Sequence, residues 1–271
     1  MNRISTRAGA LFALAAFLAL PLGAAADPSV IRVGVTPGPH ALIFDQIAQL
    51  AAKRGLTIKV VEISDYDVPN AALEGGDLEA NSFQNQPYLD DQQKARGYHL
   101  STVAKTILLP MGIYSRKVKR LADLKDGAAI GVPNDPTNEA RGLKLLQSAG
   151  LIKLRTQSYT AGVADISDNP HHYVIRELVA AQLPRSLDDL DAAAINGNYA
   201  ATAGLSPARD ALRAEGGGVG EALRSPYSNI LVVRTADINK PWAKQLVALY
   251  HSSEIRGYIL RHFGGAIFPA F

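Results

Sequence analysis

Past its N-terminal segment, the chain alternates short β-branched runs with amphipathic stretches of helical period. Ile31-Arg-Val-Gly-Val35 reads as a first strand, followed by a Pro/Gly turn and an amphipathic helix from about Ala41 to Lys53. Thr57 to Ile63, rich in Thr, Ile and Val, predicts a second strand. A helix around Asn70 to Glu74 is expected to end at Gly75-Gly76, because glycine takes the left-handed position after a last turn without steric cost. Strands alternating with helices in this way predict an α/β fold with substantial parallel pairing.

Two apolar runs, Ile107 to Tyr114 and Tyr227 to Val233, read as strands that flank a segment with its own α/β content. The inner segment has a strand at Ala128–Val132, a helix after Asp135 and a strand at Ala192–Ile195. The arrangement predicted is one α/β domain inserted into another, joined by two crossing strands, with a cleft between them. Such a cleft is a favoured place for a small ligand. The chain has no internal repeat, and Gly216-Gly217-Gly218 reads as a flexible turn.

The N-terminal segment changes where this fold is expected to work. Arg3 and Arg7 precede a small, apolar run from Ala8 to Leu22, and Gly23-Ala24-Ala25-Ala26 precedes Asp27-Pro28. Positive charge, an apolar run and small residues before a break are the parts of a secretory signal peptide, here 1–26. Removing those two arginines leaves 26 Lys+Arg against 25 Asp+Glu. A nearly neutral mature chain has no electrostatic footprint for nucleic acid, and Lys117, Lys119 and Arg120, its tightest basic cluster, fit a solvated turn. About 245 residues remain, enough for one large or two medium domains. The chain has no cysteine, which removes disulfides, thiol catalysis and Cys-ligated zinc.

The remaining residues favour binding over catalysis. His40, His99, His171, His172, His251 and His262 form no H-E-x-x-H pattern and read as surface or loop histidines, so no metal site is expected. Gly204-Leu-Ser206-Pro-Ala208 misses the nucleophile elbow at its last position, and Pro207 suits a helix start. No P-loop and no dinucleotide fingerprint appear, so no cofactor is expected. By contrast, in Asn134-Asp135-Pro136-Thr137-Asn138-Glu139-Ala140-Arg141 the aspartate is a good N-cap and the proline suits the first helical position. That helix N-terminus would face the cleft and favour a carboxylate, and Arg141 leans back toward the same spot, where it could grip the carboxylate with two donors. An ordinary capped helix with a surface arginine fits the same residues.

Longer ordered motifs then carry a resemblance over essentially the whole mature chain. They are Ser64-Asp-Tyr66-Asp-Val-Pro-Asn70, Gly76-Asp-Leu-Glu-Ala-Asn-Ser-Phe83-Gln, Pro87-Tyr88-Leu-Asp90 and Val132-Pro-Asn-Asp-Pro-Thr-Asn138. Leu151-Ile-Lys-Leu154, Gln182-Leu-Pro-Arg-Ser-Leu-Asp-Asp189 and Ser225-Pro-Tyr-Ser-Asn229 continue them. The chain resembles the methionine-binding lipoprotein family of the NlpA/MetQ type. The resemblance implies a periplasmic-binding-protein fold, type II-like, in which two α/β lobes close on one free amino acid without a chemical step. Lobe 1 would hold 27–109 and 228–271, and lobe 2 would hold 110–227. It also implies delivery to an ABC permease and ATPase complex in the inner membrane, by a protein expected to be a monomer.

By the same resemblance, Arg141 would pair with the ligand carboxylate, Asn196 and Asn229 would fix the amino and carboxylate groups, and Tyr66, Phe83 and Tyr88 would form an aromatic wall. Another apolar amino acid or a dipeptide is the alternative ligand, and a periplasmic enzyme on a small amino-acid derivative is the alternative function. The chain departs from the family pattern twice. The cysteine that would carry a lipid is missing, which predicts a freely diffusing periplasmic protein. Where the family commonly reads Phe-Gln-His-Lys-Pro-Tyr, this chain has Phe83-Gln84-Asn85-Gln86-Pro87-Tyr88, so the shorter amide of Asn85 stands beside the expected pocket.

Overall fold

The computed structural model describes residues 29–271, and the expected signal peptide lies outside them. In chain order the first elements are β1 (Ile31–Val35), α1 (Pro39–Ala52), β2 (Ile58–Glu62), α2 (Val68–Glu74), β3 (Ala80–Ser82), α3 (Gln86–Arg96) and β4 (Leu100–Lys105). Next come β5 (Ile107–Leu108), β6 (Gly112–Tyr114), β7 (Ala129–Pro133), α4 (Pro136–Ser148), β8 (Lys153–Leu154), β9 (Ile166–Asp168) and β10 (Val174–Leu178). The chain continues through β11 (Ala192–Ile195), α5 (Gly197–Thr202), α6 (Pro207–Asp210), β12 (Arg213–Ala214) and α7 (Val219–Arg224). It closes with β13 (Ile230–Arg234), α8 (Pro241–Tyr250), α9 (Ser253–His262) and β14 (Phe268–Pro269).

These strands build two five-stranded sheets, ordered β2-β1-β3-β13-β4 and β10-β7-β11-β6-β12. In the first, β1 pairs in parallel with β2 and β3, while β13 runs antiparallel to β3 and β4. In the second, β7 pairs in parallel with β10 and β11, and β6 runs antiparallel to β11. Each sheet therefore has a parallel part, whose strand ends open toward loops and helix starts, and an antiparallel part that receives the chain from the other sheet.

Both faces of the first sheet are covered. Ile31, Val33 and Val35, at alternate positions of β1, pack with Phe44 and Ile47 of α1, Leu246 of α8 and Ile259 of α9. Leu73, Leu89, Ile230 and Val232 form a separate core on the side of α2 and α3. The second sheet is covered by α4, through Leu143 and Leu146 against Ile130 and Val132, and by a second cluster around Leu183, Leu187 and Ile195. Strands buried on both faces read as nearly continuous apolar runs. This is why Ala192–Ile195 is legible in the sequence.

The passages between the sheets differ from the two expected crossing strands. Ile107 to Tyr114 is apolar throughout, but it divides into β5, which pairs with β14, and β6, which joins the second sheet. Pro110 stands at the break, and a residue without an N–H cannot continue a ladder. On the return, Ser225-Pro226-Tyr227 is not yet strand: the Tyr227 amide donates to Ser225 Oγ at 3.1 Å, and β13 begins at Ile230. Among the described residues no helix is long and apolar enough to cross a membrane.

Candidate functional site

A cavity of about 330 Å³, its mouth included, lies between the two sheets. Tyr66, Phe83, Asn85, Tyr88, Arg141, Asn196 and Asn229, the residues singled out in the sequence, all line it.

The aromatic wall comes from loops at the ends of parallel strands. Tyr66 follows β2, Phe83 follows β3, and Tyr88 sits in the first turn of α3. The ring of Tyr66 lies 5.8 Å from that of Phe83, 6.0 Å from Tyr88 and 4.9 Å from Tyr199, which α5 brings from the second sheet. Buried Gln84 holds the Phe83 loop in place: its Nε2 donates to Asn70 Oδ1 at 2.6 Å, and Asn70 Nδ2 donates back to Gln84 Oε1 at 2.8 Å. Burial raises the phenols of Tyr66, Tyr88 and Tyr199, which keeps all three neutral. Their hydroxyls tie elements together. Tyr88 donates to Tyr66 O at 3.1 Å, Tyr66 to Asn198 Oδ1 at 2.6 Å, and Tyr199 to Ser64 O at 2.7 Å. The last two bonds run from one sheet's loops to the other's.

Opposite the wall are amides and one guanidinium. The predicted cap of α4 forms, with Asp135 Oδ1 accepting from the Asn138 amide at 2.9 Å. The anion at this helix N-terminus is therefore the chain's own Asp135, whose pKa burial raises. Asn138 Nδ2 donates to the same carboxylate, and Asn138 Oδ1 accepts from Asn196 Nδ2 at 2.7 Å. This leaves Asn196 Oδ1 and Asn198 Nδ2 enclosed and without a partner among the described residues. One is an acceptor and one a donor, and both residues line the cavity. A buried polar atom without a partner costs about 1–3 kcal/mol, so two in one cavity mark a place where a ligand's polar groups belong.

Arg141 is 4 % exposed and already carries a counter-ion. Its Nε and Nη2 donate to Glu215 Oε1 and Oε2 at 2.8 and 2.6 Å, and Nη2 also donates to Leu109 O at 3.0 Å. Burial alone would lower the Arg141 pKa, but Glu215 outweighs it and the net shift is upward. The two-donor edge that sequence reasoning reserved for a ligand thus belongs to Glu215, and Nη1 has no hydrogen-bond partner among the described residues. With Arg141 neutralised by Glu215, the polar side of the cavity is close to balanced in charge, which suits a zwitterion.

Asn85 and Asn229 are also partly engaged. Asn85 caps α3, its Oδ1 accepting from the Tyr88 amide at 3.1 Å. Asn229 Nδ2 donates to Phe83 O at 3.1 Å, and the two asparagines face each other across a β-bridge. Gly197 starts α5 where a Cβ would come within 2.8 Å of Leu109 Cβ and Pro110 O, so only glycine lets α5 approach the first passage this closely. Asn138 and Asn198, which line the cavity, were missed in the sequence, as was Tyr199, which packs on Tyr66 without lining it. Asn138 stands three residues before Arg141 and so shares its helix face, a spacing that could have found it. Asn198 and Tyr199 follow a strand end in a short helix with no comparable signal.

Two expectations lie outside the cavity. Ser206 stands at the N-cap position of the four-residue α6 without a side-chain cap bond and does not line the site. His40, read as a surface or loop histidine, is 1 % exposed in the first turn of α1. Among the described residues no group of three or more His, Asp or Glu side chains is placed to hold a metal ion.

The geometry agrees with comparisons to known proteins. The family described as NlpA lipoprotein matches residues 31–271. The chain is 44% identical over 247 residues to the D-methionine-binding lipoprotein MetQ of Salmonella typhi, covering 89% of each chain. A nutrient binding protein from Burkholderia cenocepacia bound to methionine superposes with a TM-score of 0.84 at 47% identity, covering 89% of this chain and all of that one. An ABC transporter periplasmic substrate-binding protein from Coxiella burnetii superposes with a TM-score of 0.83, also at 47% identity and over 89% of this chain. These matches correct the expectation of a protein that is not lipid-anchored, because family and relative are both described as lipoproteins. The absence of cysteine removes one acylation chemistry, which is too narrow a ground for placing the protein away from the membrane.

Proposed function

The chain belongs to the NlpA lipoprotein family, and from that premise we propose that it is the substrate-binding component of an ABC importer, with methionine as its ligand. One observation carries the reading: a cavity between two sheets joins an aromatic wall to buried amides that lack partners. A free amino acid matches both sides. Its carboxylate takes Arg141 Nη1 and Asn198 Nδ2, and its ammonium donates to Asn196 Oδ1 and to the free lone pair of Asn229 Oδ1. A thioether side chain lies against Tyr66, Phe83 and Tyr88, where sulfur–aromatic contacts contribute about 0.3–1.5 kcal/mol each. Asn85, its oxygen engaged by α3, offers Nδ2 at the edge.

The reading has no chemical step. Lobe 1 comprises 27–109 and 228–271 and lobe 2 comprises 110–227, so that ligand contacts come from both lobes only when they close. The working form is a monomer that docks on a permease and ATPase complex. Thermal unfolding of refolded, ligand-free protein with a panel of amino acids and dipeptides tests the reading. Methionine at a hundred times its Kd should add about 2.7 kcal/mol of stability. A shift with another compound and none with methionine would refute the ligand assignment.

A further inference from the structure

Arg141 lines two cavities. Besides the one between the sheets, a second, of about 860 Å³ with its mouth included, lies between α4 and the return passage Ser225-Pro226-Tyr227. Among the described residues no other is common to the two linings. The side chain is therefore a partition, with room behind it to withdraw from the ligand side. Its hydrogen bonds to Glu215 and Leu109 O lie along the guanidinium edge and fix where that edge points. They leave the plane free to tilt. What bars the tilt is Tyr227, whose ring centroid lies 4.6 Å from Arg141 Cζ. Tyr227 lines the second cavity and not the first, so it meets the guanidinium from behind. The ring is held in turn. It packs on the small cluster of Leu108, Ala222 and Ala270, and Tyr159 stands edge to face with it at 6.0 Å. Lys144, three residues beyond Arg141 on the same face of α4, places Nζ 4.5 Å from the Tyr159 centroid. Two cations of one helix and two rings thus form a single stack, and Arg141 is the end that reaches the ligand cavity.

We propose that Tyr227 is a positioning residue for Arg141: its ring face backs the guanidinium and keeps Nη1 turned toward the ligand carboxylate. The inference rests on the reading of Arg141 as the carboxylate grip and deepens it. A planar guanidinium stacks on an aromatic face, and the attraction is strongest where water is excluded, as it is around buried Arg141. Without the ring, the guanidinium tilts into the second cavity and the ligand must draw it back, so affinity falls without being abolished. Both passages between the sheets then meet at Arg141, the first through Leu109 O and the return through Tyr227. The return passage takes part in recognition without touching the ligand.

A double-mutant cycle with L-methionine as the probe, read by calorimetry, tests the link. A desolvated cation–ring contact corresponds to about a tenfold change in Kd. Tyr227→Leu should weaken binding by that order, and Tyr227→Phe, which keeps the ring face, should recover most of it. In an Arg141→Ala background, Tyr227→Leu should add nothing. Independent, additive losses would overturn the proposal, as would wild-type affinity in folded Tyr227→Leu. A second measurement needs no ligand. In arginine-selective 15N NMR of the free protein, the Arg141 Nε–H proton, assigned by its absence in Arg141→Ala, should move when Tyr227→Leu removes the ring current. It should stay near its wild-type position in Tyr227→Phe, and an unmoved resonance in Tyr227→Leu overturns the proposal. If Arg141→Ala itself binds methionine like the wild type, the role of Arg141 falls and that of Tyr227 falls with it, whatever the resonance shows.

Discussion

At the scale of single residues, the site is made by atoms that the fold leaves half-used. Glu215 occupies one edge of Arg141, Phe83 O takes one end of Asn229, and Asn138 takes one end of Asn196. Residue types in the cavity were legible because arginine, asparagine and tyrosine stood in motifs with a family resemblance. The division of their donors and acceptors was not, because it depends on Glu215, which lies far from Arg141 in sequence. His40 was misread for a related reason: nothing local tells a histidine in a Pro/Gly turn that the fold will enclose it. Its burial has a consequence for pH. With the folded pKa lowered to about 4 from the ordinary 6.5, the neutral ring favours the fold. That contribution is complete above pH 6.5 and is lost as pH falls toward 4. The linkage amounts to roughly 3 kcal/mol. Urea unfolding at pH 7 and pH 4 should show a stability loss that is smaller in His40→Gln by about that amount, and equal losses would refute the burial of a neutral ring.

At the scale of elements, strands buried on both faces and helices with side-chain caps were the legible parts. Ala192–Ile195 has no polar position, and Asp135-Pro136 starts α4 by a local hydrogen bond. The passage from Ile107 to Tyr114 was read as one strand because hydrophobicity is continuous across it, whereas pairing is not: β5 and β6 belong to different sheets. Asn85 shows the converse. Its position suggested a ligand contact, yet its oxygen caps α3, which carries Tyr88 into the wall. Removing an asparagine cap typically costs about 1 kcal/mol. Asn85→Ala should therefore lower stability by about 1 kcal/mol in denaturant unfolding. Unchanged stability would show that the cap does not hold α3 in place.

For the whole molecule, the two sheets and the cleft between them follow from strand–helix alternation with one segment inserted into another. Sequence reasoning reached that arrangement, but not how the sheets touch. Tyr66, Tyr199 and Asn198 bridge them directly, so the wall of the cavity is also the contact between the halves. A ligand in that cleft gains contacts from both sides at once, which favours the closed arrangement. The central claim is that this cleft binds one free methionine through Arg141 and the amides around it. Calorimetric titration of L-methionine into refolded, ligand-free wild type and Arg141→Ala tests it most directly. The account predicts saturable binding at one site per chain in the wild type and a loss of about a hundredfold in the variant, the order expected for a charge-assisted bond. No binding of methionine by the wild type, or equal binding by a folded Arg141→Ala, would contradict it.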